Sequence, residues 1–346
     1  MTNNTTRTRS GRAAQSALFR WFGRKFVQYT LVLLVALSIN FALPRLAPGN
    51  AMNYFAGQEI NLLSPEQRAR LEKELGLDKS VLHQYGDFMS GAFRLDLGSS
   101  TKFGKPVTQV LKERMGWTFL LVTPALLISM LLGVVFGAYS AWNRGKRRDI
   151  GLLSLMLTLQ SLPGFWIGMM FITVFAVQLG WLPSYGAVPL VHGTTGQYVL
   201  EIVKRMILPV STITLATIGS YFLLTRSSML DTLGQDYIFM AEAKGITKRG
   251  LIYRHALRNA LLPVYTHITI SLGVLVSGAV VVETVFSYPG IGRLLYESVV
   301  ARDFPTMQGV FLFITVGVIA ANLLADLTYP LVDPRARGAK HMEGSV

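Results

Sequence analysis

The chain has 346 residues, 51% of them apolar and only 15% charged, with a formal charge of +14 and a mean hydropathy of +0.41. That balance excludes an ordinary soluble domain and describes an integral membrane protein, whose cations follow topology rather than nucleic acid. Cysteine is absent, His83, His192, His255, His267 and His341 lack ligand spacing, and the Gly-Lys pairs at 104–105 and 145–146 precede Pro and Arg, which excludes disulfides, a sequence-encoded metal cluster and a nucleotide-binding loop.

Residues 1–26 begin as a Thr/Asn/Arg-rich tail, expected to be disordered, and become a basic lead, LFRWFGRKF, with Trp21 and Phe22 at headgroup level. Residues 27–44 form the first apolar span, read as a retained anchor because its flank is basic and its exit lacks a small-residue cleavage pattern. The polar stretch 45–116 is long enough for a small external subdomain. It contains one well-signalled helix: Ser64 as cap, Pro65 at the first position, Gln67 at the capping-box site, and Leu71 and Leu75 on one face before Gly76.

The second span, 117–142, carries Gly133 and Gly137 four apart, a spacing that lets a neighbouring helix approach. A cationic loop, 143–149, leads to the third span, 152–179, interrupted by Pro163-Gly164. The freed backbone there implies either a kink or a wet binding cavity. After Gly180-Trp181-Leu182-Pro183 comes a second external loop, 184–205, with an interfacial helix expected near 198–204, and then the fourth span, 206–224.

The polar island 236–263, DYIFMAEAKGITKRGLIYRHALRNALLP, follows. Asp236 can cap a helix over 237–244, and Gly245 can end it in the left-handed conformation. A second helical run, 248–260, sets Leu251, Ala256 and Leu257 among Lys248, Arg249, Arg254 and Arg258, and is expected to stop at Pro263. By charge alone the island is either a solvated loop or a partner contact. The fifth span, 264–285, has Gly273 and Ser277 on one face, and the sixth is 310–331.

Six spans put both termini on one side. That side holds six Lys/Arg before the first span, four at 143–149, six from Arg226 to Arg258 and three at the C-terminus; the other holds ten in the long first loop, two at Lys204 and Arg205, and two at Arg293 and Arg302. Because long loops count least, both termini and the polar island are expected to be cytoplasmic. The fold class is therefore an all-α integral membrane protein. Its six transmembrane helices have a large external loop after the first and a cytoplasmic helix between the fourth and fifth. The expected divisions are 1–26 (tail and lead), 27–44 (first span), 45–116 (external subdomain), 117–331 (transmembrane core, including the loop 226–263) and 332–346 (tail).

Tyr237, Ala241, Ala243-Lys244-Gly245 and Arg254-His255-Ala256-Leu257-Arg258-Asn259-Ala260 resemble the cytoplasmic EAA loop of ABC importer permeases, in the variant of the dipeptide, oligopeptide and nickel family. The resemblance departs from the generic loop at Phe239-Met240, where Glu-Ala is usual, and at Arg258, where Pro is usual. Leu95-Asp96-Leu97-Gly98-Ser99, the run from Glu283 to Arg293, Ala301-Arg302-Asp303-Phe304-Pro305 and Asp333-Pro334-Arg335 with Arg337 extend it over about residues 20–337.

The resemblance implies a permease subunit of an ATP-driven, binding-protein-dependent importer in a bacterial or archaeal inner membrane. Peptides are the leading cargo, with nickel chelates, glutathione and oligosaccharides as alternatives. It implies as partners a second homologous permease, two ATP-binding subunits that hold ATP and Mg, and an external solute-binding protein, with no catalytic residue, metal or cofactor in this chain. Ala241, Glu242, Ala243, Lys244, Gly245, Arg254, His255, Leu257, Arg258 and Asn259 would engage the ATPase. Tyr288, Pro289, Gly290, Arg293, Arg302 and Asp303 would dock the binding protein.

Within the spans Asp326 and Glu283 are candidate path residues, since ionisable groups there are costly. Each has a structural alternative: an interhelical hydrogen bond for Asp326, to Thr328 or a backbone group, and a cap at the membrane boundary for Glu283. His267 reads as a packed polar residue. An ion-driven secondary transporter is the other functional class, resting on Asp326 and the Pro163-Gly164 break; an integral membrane enzyme lacks any clustered nucleophile, base or ligand set.

Overall fold

The computed structural model describes residues 5–46, 64–74, 78–188, 194–277 and 279–332. Leu75, Gly76, His192 and the C-terminal Asp333-Pro334-Arg335 motif lie outside the described residues, as do the side chains of Trp21, Leu71 and Ser277. Among the described residues every element is helical, apart from an isolated bridge between Ser99 and Pro106. Among the described residues four helices are long and apolar enough to cross a membrane, and a bent pair makes a fifth candidate. The chain divides into two compact units, residues 1–96 with 311–346, and residues 97–310.

In the first unit α1, Thr5–Leu46, carries the candidate span Phe22–Leu43. The polar tail expected to be disordered is helical from Thr5 and continuous with the span. Once an apolar segment has nucleated a helix, adding residues to its end costs little, and Ala13, Ala14 and Ala17 favour extension. α2, Pro65–Glu74, starts with the expected capping box: Ser64 N donates to Gln67 Oε1 at 2.9 Å and Gln67 N to Ser64 Oγ at 3.3 Å. α3, Val81–Arg94, packs on α1 through Phe41, whose ring meets Tyr85 and Phe88 at 5.2 and 5.6 Å, while Arg45 Nη2 donates to Gln84 Oε1 at 2.6 Å.

The second unit is built on α4, Val107–Trp142, and α7, Thr195–Leu233. A Cβ on Gly133 would lie 2.5 Å from that of Tyr221, and one on Gly137 would lie 2.7 Å from the Phe222 carbonyl oxygen. The glycine pair is thus a seat for α7, holding two backbones closer than any side chain permits. At 1.5 Å per residue α7 is roughly 58 Å long, about twice the hydrocarbon thickness, so it projects into water at one or both ends. The interfacial helix expected near 198–204 is its first part, started by a capping box between Thr194 and Gln197.

α5, Arg147–Ser161, and α6, Gly164–Phe171, continued by a π-helical stretch, Ile172–Gln178, are bent by 95°. That is a break rather than the kink considered above. Leu162 and Pro163 are extended, because a residue before proline is driven out of the helical region. α8, Asp236–Ala243, is followed by a turn, Lys248–Gly250, and a π-helical stretch, Leu251–Ala256, that runs into α9, Leu257–Ser277. The second run of the polar island therefore does not stop at Pro263. Pro lacks one donor, yet α9 continues through Pro263 as α4 and α7 continue through Pro124 and Pro209, with neighbouring helices alongside. The expected fifth span is divided between α9 and α10, Val280–Val285; α11, Ile291–Ala301, and α12, Phe304–Val332, are the last of the described helices.

Candidate coupling loop and the connection before the last helix

α8 begins after Gln235, with Asp236 at its first position rather than as the cap. Its end is a Schellman motif: Ile246 N donates to Ala241 O at 3.3 Å and Gly245 N to Glu242 O at 2.9 Å, with Gly245 at φ +78°. Thr247 then caps the next turn by accepting from Gly250 N. Ile238 and Ala241 are buried with Leu251, Ala256 and Ala260 against Ala138, Ala141 and Met229 of α4 and α7. Asn259 Nδ2 donates to Tyr237 Oη at 2.7 Å, joining the two limbs.

The opposite face of α8 is bare: Phe239 is 58% and Met240 62% exposed, and Tyr237 is also exposed. Of the expected coupling residues, Glu242, Ala243, Lys244, Gly245, Arg254, Arg258 and Asn259 are exposed, while His255 and Leu257 are half-buried. Ala241 departs from the rest: it faces inward and anchors the loop. The departure from the generic motif at 239–240 puts two large apolar groups where Glu-Ala is usual.

Behind the loop lies a group that the sequence reading missed. Arg226 Nε and Nη2 donate to Asp149 Oδ1 and Oδ2, each at 2.9 Å, and Asp149 also accepts from Ser140 Oγ and from Gly145 N at 2.9 Å. The Asp149 side chain is 3% exposed. This bidentate pair ties the ends of α4, α5 and α7 together just before α8. The available signal was a lone acid among Arg144, Lys146, Arg147 and Arg148.

In the connection 279–309 the acidic groups are turned inward. Glu283 is fully buried; Thr118 Oγ1 donates to its Oε1 at 2.9 Å and Arg293 N to its Oε2 at 2.9 Å, while Thr118 Oγ1 accepts from Ile291 N at 2.7 Å. The carboxylate thus caps α11, where the helix dipole favours negative charge. Gly290 is required because a Cβ there would overlap the Glu283 carboxylate. Asp303, also fully buried, accepts from Ser100 Oγ, Thr306 Oγ1 at 2.7 Å and the amides of Thr101, Lys102 and Thr306. It caps α12 and pins the turn at 99–102.

Burial divides the expected docking set. Tyr288, Gly290 and Asp303 are buried and offer no surface within this chain; Arg302 is exposed, and Pro289 and Arg293 are half-buried. Glu283 takes the capping role that was its alternative. Asp326, in the first unit, accepts from Tyr29 Oη at 2.6 Å and pairs with Lys25 Nζ at 2.6 Å. The interhelical alternative holds for it with α1 as partner, while Thr328 bonds back to Leu324 O at 2.6 Å. His267 packs edge-on against Tyr221, ring centroids 5.0 Å apart.

Residues 133–338 match the model of the binding-protein-dependent transport system inner membrane component, and residues 18–121 match its N-terminal region. The chain belongs to this family. The dipeptide transport system permease protein DppB of Escherichia coli K12 is 37% identical over 321 residues, covering 87% of this chain and 94% of that protein. DppB of Alkalihalophilus pseudofirmus is 35% identical over 333 residues, covering 91% and 98%. An inward-facing structure of the MetNI methionine ABC transporter aligns with a TM-score of 0.53 at 16% identity, over 65% of this chain and 97% of that chain. Its likeness concerns the fold.

Proposed function

We propose that this chain is the permease subunit of a binding-protein-dependent ABC importer and forms half of a path for di- and oligopeptides. The carrying observation is the family match over 133–338 together with DppB relatives aligned along nearly their whole length. Those relatives are named for dipeptide transport, which favours peptides over nickel chelates, glutathione or oligosaccharides.

The geometry suggests how such a subunit works. A permease needs two access states and a handle by which ATP hydrolysis elsewhere selects between them. α8 suits that handle: it is apolar on its outer face, seated on α4 and α7 through Ile238 and Ala241, and continuous through α9 with the span beyond. A push on Phe239 and Met240 would reach both long helices without being absorbed by a slack loop. ATP and Mg would reside in two partner ATPases, a second permease would complete the path, and an external protein would deliver cargo. The six-span topology with cytoplasmic termini adds the α5–α6 and α9–α10 pairs to the four long apolar helices.

The test is uptake of labelled di- to pentapeptides into proteoliposomes holding the complex, with and without internal ATP. Accumulation that needs both ATP and the external binding protein is expected. Uptake driven by an imposed proton gradient in the absence of any ATPase would overturn the assignment.

A further inference from the structure

We propose that the cleft between α4, the start of α5 and the π-helical stretch 251–256 is a binding site for an anionic phospholipid. The inference rests on the membrane reading alone and is independent of cargo. The cleft has a volume of about 560 Å³, and Val134, Val135, Tyr139, Trp142, Arg148 and Tyr253 are among its lining residues. Val135 and Tyr253 are 52% and 66% exposed. An apolar wall this open would be poorly hydrated in water, whereas on a membrane-spanning helix it faces acyl chains.

The cleft has a charged mouth. Arg148 is exposed, and its only hydrogen bond among the described residues is from Nη1 to Tyr139 Oη, at 3.2 Å. Arg144, Lys146 and Arg147 beside it are exposed too. The one acid of this turn, Asp149, is buried and has both oxygens taken by Arg226, Ser140 and Gly145. Among the described residues, the Asp149–Arg226 pair therefore leaves the four neighbouring cations without an ion-pair partner. Trp142, Tyr139 and Tyr253 supply the amphipathic rings that settle at headgroup level. Apolar wall, aromatic rim and unneutralised cations together fit a phosphodiester headgroup at Arg148 with an acyl chain along Val134 and Val135; basic pockets between membrane helices recognise lipids in this way.

The purified complex is equilibrated with equal amounts of phosphatidylglycerol and phosphatidylethanolamine, and retained lipids are counted by native mass spectrometry. Wild type is expected to retain phosphatidylglycerol in preference. Arg148→Gln should lower that retention about fivefold, the worth of one surface cation. Val135→Trp, which fills the cleft without touching charge, should lower it as well, and Lys105→Gln, an exposed cation elsewhere, should leave it unchanged. Equal retention of the two lipids, or undiminished retention by Arg148→Gln, would overturn the proposal. So would displacement by glycerophosphate as effective as by the intact lipid, which would indicate a simple phosphate site. Crosslinking of Val135→Cys to another subunit would overturn it too, by showing that protein covers the cleft.

Discussion

The connection 279–309 and the loop 236–260 are both dense in family-matching residues, yet their surfaces are opposite. In the connection the polar groups turn inward: Glu283 and Asp303 are fully buried and surrounded by donors. In the loop the small residues Ala241, Ala256 and Ala260 turn inward, while Phe239, Met240 and most of the cations face out. A matched motif can therefore mark internal architecture or an exposed handle, and burial separates the two. Removing a buried carboxylate should damage folding; altering the exposed loop should damage coupling.

The largest effect is expected at the buried carboxylates and the pair behind the loop. Arg226→Gln leaves Asp149 buried without its cation, at a cost of about 3–5 kcal/mol. Asp303→Ala strips the acceptor from several donors at once, costing roughly 3 kcal/mol or more. Both should appear as lost monodisperse complex and a lower melting temperature. An unchanged melting temperature for Asp303→Ala would erase the contrast between the regions.

Gly245→Val sits in open space, so its cost is confined to the left-handed backbone, about 1–2 kcal/mol. Membrane insertion should survive while ATP hydrolysis and uptake become uncoupled; normal peptide uptake would remove the handle from the loop. Phe239→Ser should change stability by no more than about 0.5 kcal/mol and weaken copurification of the ATPase. Intact copurification would show that the bare face is not the contact.

The smallest effect is one of pH. Burial acts to raise the Glu297 carboxyl, but the hydrogen bond from Lys102 at 3.1 Å and the charges of Lys102, Arg293 and Arg114 outweigh it and hold the group below its ordinary value. A carboxyl lowered on folding contributes stability above its unfolded pKa and loses it as pH falls through the folded one. Glu297→Gln should therefore flatten the acid side of the stability profile below about pH 4.5 and lower stability by a small, constant amount at neutral pH, the two profiles converging in acid. An identical acid limb in wild type and variant would assign Glu297 no role in holding α11.

Periodicity and caps made much of the fold legible. The Ser64–Gln67 box, the Gly245 stop and the close approach at Gly133 and Gly137 are local or nearly local consequences of residue type. Helix ends were less legible where a polar segment continues an apolar one, as before Phe22 and through Pro263, because continuation depends on what packs alongside. The candidate coupling loop was found as a stretch, but which of its residues face out was not: Ala241, named with the exposed residues around it, is buried.

What the sequence by itself determined is membrane character, helix-rich architecture, the location of the polar island and the family resemblance, since these follow from composition and short spacings. Only the tertiary structure decided the partners of the charges: Asp149 with Arg226, Asp326 with Lys25 and Tyr29, Asp303 with Ser100. The reason is physical. A carboxylate outside bulk water must find donors, and the donors nearest in space here lie up to 301 positions away in the chain, at a distance no sequence period encodes.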